Sequence, residues 1–176
     1  SRYRAPRSRR ASSRLPDARP AGTLVSDPSR HAISTVEEMA ERQRPLADHE
    51  IDALLEALDD EYRAVATYEQ VIADFGPTRP FTNIIESERR HIEALRALFE
   101  RYDLEVPANP WRGAAPAYDS VPDACAAGAA GEIDNAAMYE RLIDATDHVD
   151  IIEVFENLQR ASQENHLPAF RRCAER

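Results

Sequence analysis

Apolar residues recur along this chain at the spacing of helices that bury a single stripe. From Asp48 to about Phe75, one row is Ile51, Leu58, Val65 and Ile72, and the other is Leu54, Glu61, Tyr68 and Phe75. Asp48 is the expected N-cap, and Gly76 with Pro77 stops the helix. A second helix starts near Pro80 and runs to about Tyr102. Its rows are Phe81, Glu88, Leu95, Tyr102 and Ile84, His91, Leu98. The stretch VPANPWRGAAPAYDS, residues 106–120, is too irregular and proline-rich for helix. Ser120 with Asp123 reads as a capping box that opens a third helix, and Pro122 is tolerated in its first turn. That helix begins on small residues, ACAAGAAG, and aligns Cys125, Glu132 and Tyr139, with Ala136 and Ile143 beside them. After the short turn TDHVD, a fourth helix from about Val149 to about Cys173 is expected to bury Ile152, Phe155, Leu158, Ser162, His166 and Phe170. Strand-like alternation is absent. The pattern predicts an all-α fold over residues 46–174: two antiparallel helical hairpins joined by a long crossover between helices two and three.

Residues 1–33 lack any period and are rich in Arg, Pro and Ser, so a disordered basic tail is expected there. Ser34 with Glu37 predicts a short helix or linker over 34–45, ending at Pro45. Charge is unevenly placed: residues 1–35 hold eight Arg against two Asp, within a chain whose formal net charge is −10. An acidic body does not suit nucleic acid, so any such contact is expected of the tail alone. Hydrophobic residues make up 43% and charged residues 31%, the balance of a soluble globular protein. No apolar run approaches the length of a membrane span, and no apolar stretch follows the basic N-terminus as in a secretory signal. Cys125 and Cys173 show neither zinc-site spacing nor a disulfide framework, which predicts a reduced, cytoplasmic protein.

The polar residues on the seams are the candidate chemistry. Glu61 interrupts helix one and Glu132 interrupts helix three, each followed seven residues later by a tyrosine, Tyr68 and Tyr139. Glu88 and His91, at i and i+3, share one face of helix two, and His166 occupies the corresponding place on helix four. Residues 48–102 and 120–173 thus form a weak internal repeat. Converging buried carboxylates repel and lose solvation, and would take up protons unless cations lay between them. Carboxylate oxygen with imidazole nitrogen suits iron or manganese, with zinc as a competitor. Taken singly, each residue has a plainer reading: a Glu at the core edge, a chance Glu-x-x-His, a core tyrosine with a satisfied hydroxyl. Tyr68 and Tyr139 read equally as core residues or as hydrogen-bonding partners of ligating carboxylates. His49 and His148, at helix starts, are expected to face solvent, as are Arg89 and Arg90.

These residues (Glu61 with Tyr68, ESERRH with Glu88 and His91, GEIDNAAMY with Glu132 and Tyr139, SQENHLPAF with His166) resemble the ferritin-like superfamily. The nearest likeness is to rubrerythrin-type di-iron carboxylate proteins and bacterial ferritin-like domains. The resemblance implies terminal carboxylates from helices one and three, and a bridging Glu with a terminal His from helices two and four. It also implies two iron ions, or iron and manganese, reacting with oxygen or hydrogen peroxide in a ferroxidase- or peroxidase-like role. No pair of Cys-x-x-Cys motifs is present, so electrons are expected from a separate donor or from Fe(II) itself. A homodimer is compatible with such a bundle. The departure is Gln163, which stands three residues before His166 where the family has glutamate. Pro168 removes a helical hydrogen bond to residue 164, and a π-bulge there would swing Glu164 inward as the replacement. The alternative is a non-catalytic or mononuclear metal-binding bundle that works by association.

Overall fold

The computed structural model describes residues 44–176, so the expected tail and the linker helix before residue 44 lie outside the described residues. Four long helices follow in order, with no strand among the described residues: α1 (Asp48–Phe75), α2 (Phe81–Arg101), α3 (Val121–Asp144), and a last helix in two parts, α4 (Val149–Ala161) and α5 (Leu167–Ala174), joined by a π turn over Ser162–His166. Among the described residues, none of these is long and apolar enough to cross a membrane.

Local chemistry sets the ends. Ala47, not Asp48, is the N-cap of α1. Glu50, three positions on, accepts the Ala47 backbone N–H at 3.0 Å, leaving Asp48 in the first turn where its charge suits the helix dipole. Ser120 caps α3 as expected, its Oγ accepting the Asp123 N–H at 3.2 Å, with Pro122 in the first turn.

α1 packs along α2, and α3 packs along the last helix; α1–α3 and α2–α4 contacts close the bundle. Leu54, Leu58, Val71, Phe81, Leu95, Phe99, Phe155 and Phe170 fill its core. Ile151 is fully buried and Ile152 only half-buried, so the stripe on α4 runs one residue earlier than expected. The difference lies in spacing: 151, 155, 158 and 162 follow the alternation of four and three that keeps one face of a helix.

Cys125 near the start of α3 and Cys173 near the end of α5 are joined in a disulfide, their Cα atoms 5.8 Å apart. This corrects the expectation of reduced thiols, and with it the ground for placing the protein in the cytoplasm. Spacing along the chain gave no warning, because 48 residues separate the pair and only the packing of α3 on α5 brings them together.

The crossover over residues 102–120 runs back along α1. Tyr62 Oη donates to the Pro107 carbonyl at 3.5 Å, and Trp111 Nε1 donates to Asp59 Oδ1 at 2.9 Å.

Candidate metal centre

All five seam residues meet in the middle of the bundle. Glu61 from α1, Glu88 and His91 from α2, Glu132 from α3 and His166 from the π turn are each between 1% and 6% exposed. Glu88 is central. Its Oε2 lies 2.7 Å from His91 Nδ1 and its Oε1 lies 3.1 Å from His166 Nδ1. Each imidazole also faces one further carboxylate: His91 Nδ1 is 3.3 Å from Glu61 Oε2, and His166 Nδ1 is 3.5 Å from Glu132 Oε2. The two rings stack with centroids 5.6 Å apart. The i, i+3 spacing of Glu88 and His91 places both on one helix face, so a single turn of α2 reaches the whole cluster.

The hydrogen bonding is incomplete. His91 Nδ1 is aligned with Glu61, which leaves Glu88 Oε2 buried without a hydrogen-bond partner, and His166 Nδ1 is likewise unpaired. Burial, and then the Glu88 charge, pushes the Glu61 carboxyl up to about 7 despite His91 and Tyr139. Burial would raise Glu88 too, but His166 and His91 hold it down at about 2. Burial, joined by the Glu88 charge, raises Glu132 against the pull of His166 and Tyr68. Burial disfavours imidazolium, yet Glu61 and Glu88 raise His91 to about 10, and Glu132 and Glu88 raise His166 to about 9. The two histidines, held toward the protonated form, thus partly offset the three carboxylates.

Tyr68 and Tyr139 resolve in favour of hydrogen bonding to the cluster. Tyr68 Oη donates to Glu132 Oε1 at 3.0 Å, and Tyr139 Oη donates to Glu61 Oε1 at 2.8 Å. Each tyrosine crosses the core to the carboxylate of the other half of the repeat. Burial and the adjacent carboxylates push both phenols well above their ordinary range, so both stay protonated donors.

The π turn over Ser162–His166 is present, but it does not bring in Glu164. Gln163 and Glu164 are both exposed. A π turn carries an extra residue, so the position sharing the face of His166 is four back instead of three. That position is Ser162, 2% exposed, and the Leu167 N–H bonds to its carbonyl. A hydroxymethyl group thus stands where a second carboxylate from the last helix was sought.

Several residues that the periodicity did not single out surround the cluster. A cavity of about 330 Å³ lies between α1, α3 and the crossover, and Glu61, Glu88 and Glu132 form part of its wall. Trp111 and Tyr118 of the crossover line it, as do Asp60, Arg63 and Asn135. Asp60 pairs with Arg63 and accepts from Asn135 Nδ2 at 2.8 Å. Asn135 had a faint signal: it lies three residues after Glu132, on the same face. Trp111 had none.

A second polar cluster sits at the end of the bundle where α1 begins. His148 is fully buried, contrary to the expectation of solvent, while His49 is exposed as expected. The reason is Glu50, also fully buried, whose Oε1 accepts from the backbone of Asp147 at 3.0 Å and lies 2.7 Å from His148 Nδ1. Every oxygen of Glu50 is paired there, so this cluster reads as a structural clamp.

A family profile described as "Uncharacterized protein domain (DUF2202)" matches residues 50–176. The chain is 31% identical over 143 residues to "Uncharacterized protein MJ0754" of Methanocaldococcus jannaschii, a match spanning 73% of this chain and 76% of that protein. It is also similar to the crystal structure of hypothetical protein MJ0754 from Methanococcus jannaschii DSM 2661, with a TM-score of 0.68 and 28% identity over 75% of this chain and 83% of the other. With the matched span covering the whole bundle beyond the first residues of α1, this chain belongs to the DUF2202 family.

Proposed function

We propose that the chain is a ferritin-like oxidoreductase whose Glu61, Glu88, His91, Glu132 and His166 hold two iron ions, or iron and manganese, that react with oxygen or hydrogen peroxide. The observation carrying this reading is Glu88: its two oxygens face two different histidines at 2.7 and 3.1 Å, with one oxygen and one nitrogen left without hydrogen bonds. Glu61, Glu88, His91, Glu132 and His166 would together hold the ions, Glu88 being the carboxylate within reach of both histidines. Three carboxylates do not fully offset two divalent ions, and Ser162 leaves the last helix without a carboxylate of its own there. That set still fits hard, redox-active cations.

When bound, iron supplies the transfer of electrons to oxygen or peroxide. The residues of the chain do the rest. Tyr139 and Tyr68 fix Glu61 and Glu132 by hydrogen bonds, holding the outer carboxylates in place while Glu88 reaches both sites. The cavity beside the three carboxylates gives a small oxidant a path to them. Electrons would come from a separate donor or from Fe(II) itself, as a ferroxidase-like role requires.

Elemental analysis after iron-replete expression and a chelator wash tests the reading. About two iron or manganese ions per chain support it, and peroxide and oxygen turnover is then the assay to run. Near-zero metal removes it. A second reading rests on the tighter convergence of Glu88, His91 and His166, whose ligand atoms lie within 4.8 Å of one another. One ion per chain would select that mononuclear bundle.

A further inference from the structure

We infer that the cavity between α1, α3 and the crossover binds a small uncharged organic molecule with a ring-sized apolar body and one hydroxyl or N–H donor. As a site of oxidation this rests on the metal reading above; as a binding site it does not.

Size is the first argument. The cavity measures about 330 Å³. Oxygen or peroxide needs a passage little wider than a water, whose share of the liquid is about 30 Å³. The space here falls instead at the start of the range for small-molecule pockets, about 300–1,000 Å³. Gly131 supports this from another direction. It lines the cavity, and a Cβ built on it would meet nothing within 4 Å, so no packing neighbour takes up the room.

Chemistry narrows the guest. Ala64, Ala127, Pro116 and Trp111 supply apolar wall. Arg63 and Asp60 neutralise each other, and an anionic guest would face Glu61, Glu88 and Glu132. The Tyr68 hydroxyl is already donated to Glu132. Besides Glu88, whose Oε2 belongs to the carboxylate–histidine cluster, Asn135, 7% exposed, is the lining group with an unpaired polar atom. Its Nδ2 is spent on Asp60, and a carboxylate can only accept, so the amide cannot be the other way round. Its Oδ1 is consequently the acceptor, buried and without a partner. Asn135 lines the cavity, and a turn about its soft terminal torsion, which loosens the bond to Asp60, offers that oxygen to a guest donor.

The probe is 4-fluorobenzyl alcohol, with 1-ethyl-4-fluorobenzene as a partner of similar shape that lacks the donor. Fluorine NMR reports the ligand, and the fluorescence of Trp111, the chain's one tryptophan, reports the wall. Saturable binding of the alcohol is expected, roughly five- to tenfold tighter than the ethyl compound, the worth of one hydrogen bond. Gly131→Leu should abolish binding while helical content and metal content stay as in the parent; Ala127→Leu is the second blocking variant. Asn135→Leu should keep apolar binding and lose the preference for the alcohol. Unsaturable binding to the parent chain, or affinity unchanged in both folded blocking variants, would overturn the inference. Titration before and after chelator treatment separates the two claims. Probe binding to a chain that never holds metal sinks the metal reading alone; metal without probe binding sinks this one.

Discussion

Glu88 faces two histidines, both of which it holds toward the protonated form, and its removal has two consequences. Glu88→Ala leaves His91 and His166 stacked 5.6 Å apart with their shared counter-charge gone. Loss of that side chain should lower metal content at least as much as any other single change. Equal metal in the variant and the parent, measured side by side, would dismiss the assignment. The tyrosines give a test that needs no metal. Tyr139→Phe and Tyr68→Phe each strip one hydrogen-bond donor from a buried carboxylate, a loss of about 1–3 kcal/mol when the acceptor stays dry. Urea unfolding of the chelated protein measures it; midpoints unchanged in both variants would mean that water replaces the hydroxyls. Glu61, Glu88, His91, Glu132 and His166 were all legible in the sequence for one reason. A charged or imidazole side chain on an otherwise apolar stripe is rare, and the interruptions fell in matching places in the two halves. Asn135 gave only a faint signal beside Glu132, and Trp111 interrupts no stripe, its position beside the cavity depending on how the crossover lies against α1, which periodicity does not encode.

Two glycines one turn apart on α3 make opposite demands of the same element. A Cβ at Gly128 would come 2.8 Å from Phe170 Cδ1, and Phe170 cannot give way because it is fully buried between Tyr68 and Phe81. At Gly131 the same atom meets open space. Gly131→Ala should stabilise by about 0.5–1 kcal/mol through helix propensity. Gly128→Ala should destabilise by about 1–2 kcal/mol, overpacking outweighing the same propensity gain. Thermal unfolding of the pair decides it, and a shared sign would contradict the packing described here. The small-residue run was legible as a place of close helix approach, but which glycine is crowded depended on the partner ring. The last helix carries a parallel lesson. Pro168 made a π turn foreseeable, yet the turn faces Ser162 inward and leaves Gln163 and Glu164 in solvent. Gln163→Glu should therefore leave metal content unchanged, whereas Ser162→Glu places a carboxylate on the face of His166. A rise in metal stoichiometry with Gln163→Glu and none with Ser162→Glu would reverse that geometry.

The bundle as a whole is fastened at both ends around the polar centre. At one end Cys125–Cys173 ties α3 to α5, closing 48 residues, a span for which chain-entropy arguments give about 4 kcal/mol as a ceiling. At the other, Glu50 clasps the Asp147–His148 turn, Arg44 approaches His148 Nδ1 at 3.3 Å, and Asp150 binds Arg101, the last residue of α2, and Tyr102, its C-cap. The two fastenings differ in what undoes them. Burial alone would raise the Glu50 carboxyl, but His148 and the N–H groups of Ala47 and Asp147 lower it from 4.5 to about 2. A depressed carboxylate contributes stability that is complete above its unfolded value, near 4.5, and lost as pH falls toward about 2. The contribution amounts to about 3 kcal/mol at most. Asp150, lowered as well by Arg101 and Tyr102 against its own burial, adds to the same acid-side loss. Glu50→Gln should therefore cost stability at pH 7 and flatten the fall between about pH 5 and 2. Reduction of the disulfide should lower the whole curve by about 2–4 kcal/mol without changing its slope there. Urea unfolding across that pH range, with and without reductant, reads both in one experiment. A parent and Glu50→Gln pair whose curves fall in parallel on acidification would show that Glu50 is not the group being titrated, and the clamp at that end would then owe its hold to Asp150 and the residues it binds at the end of α2.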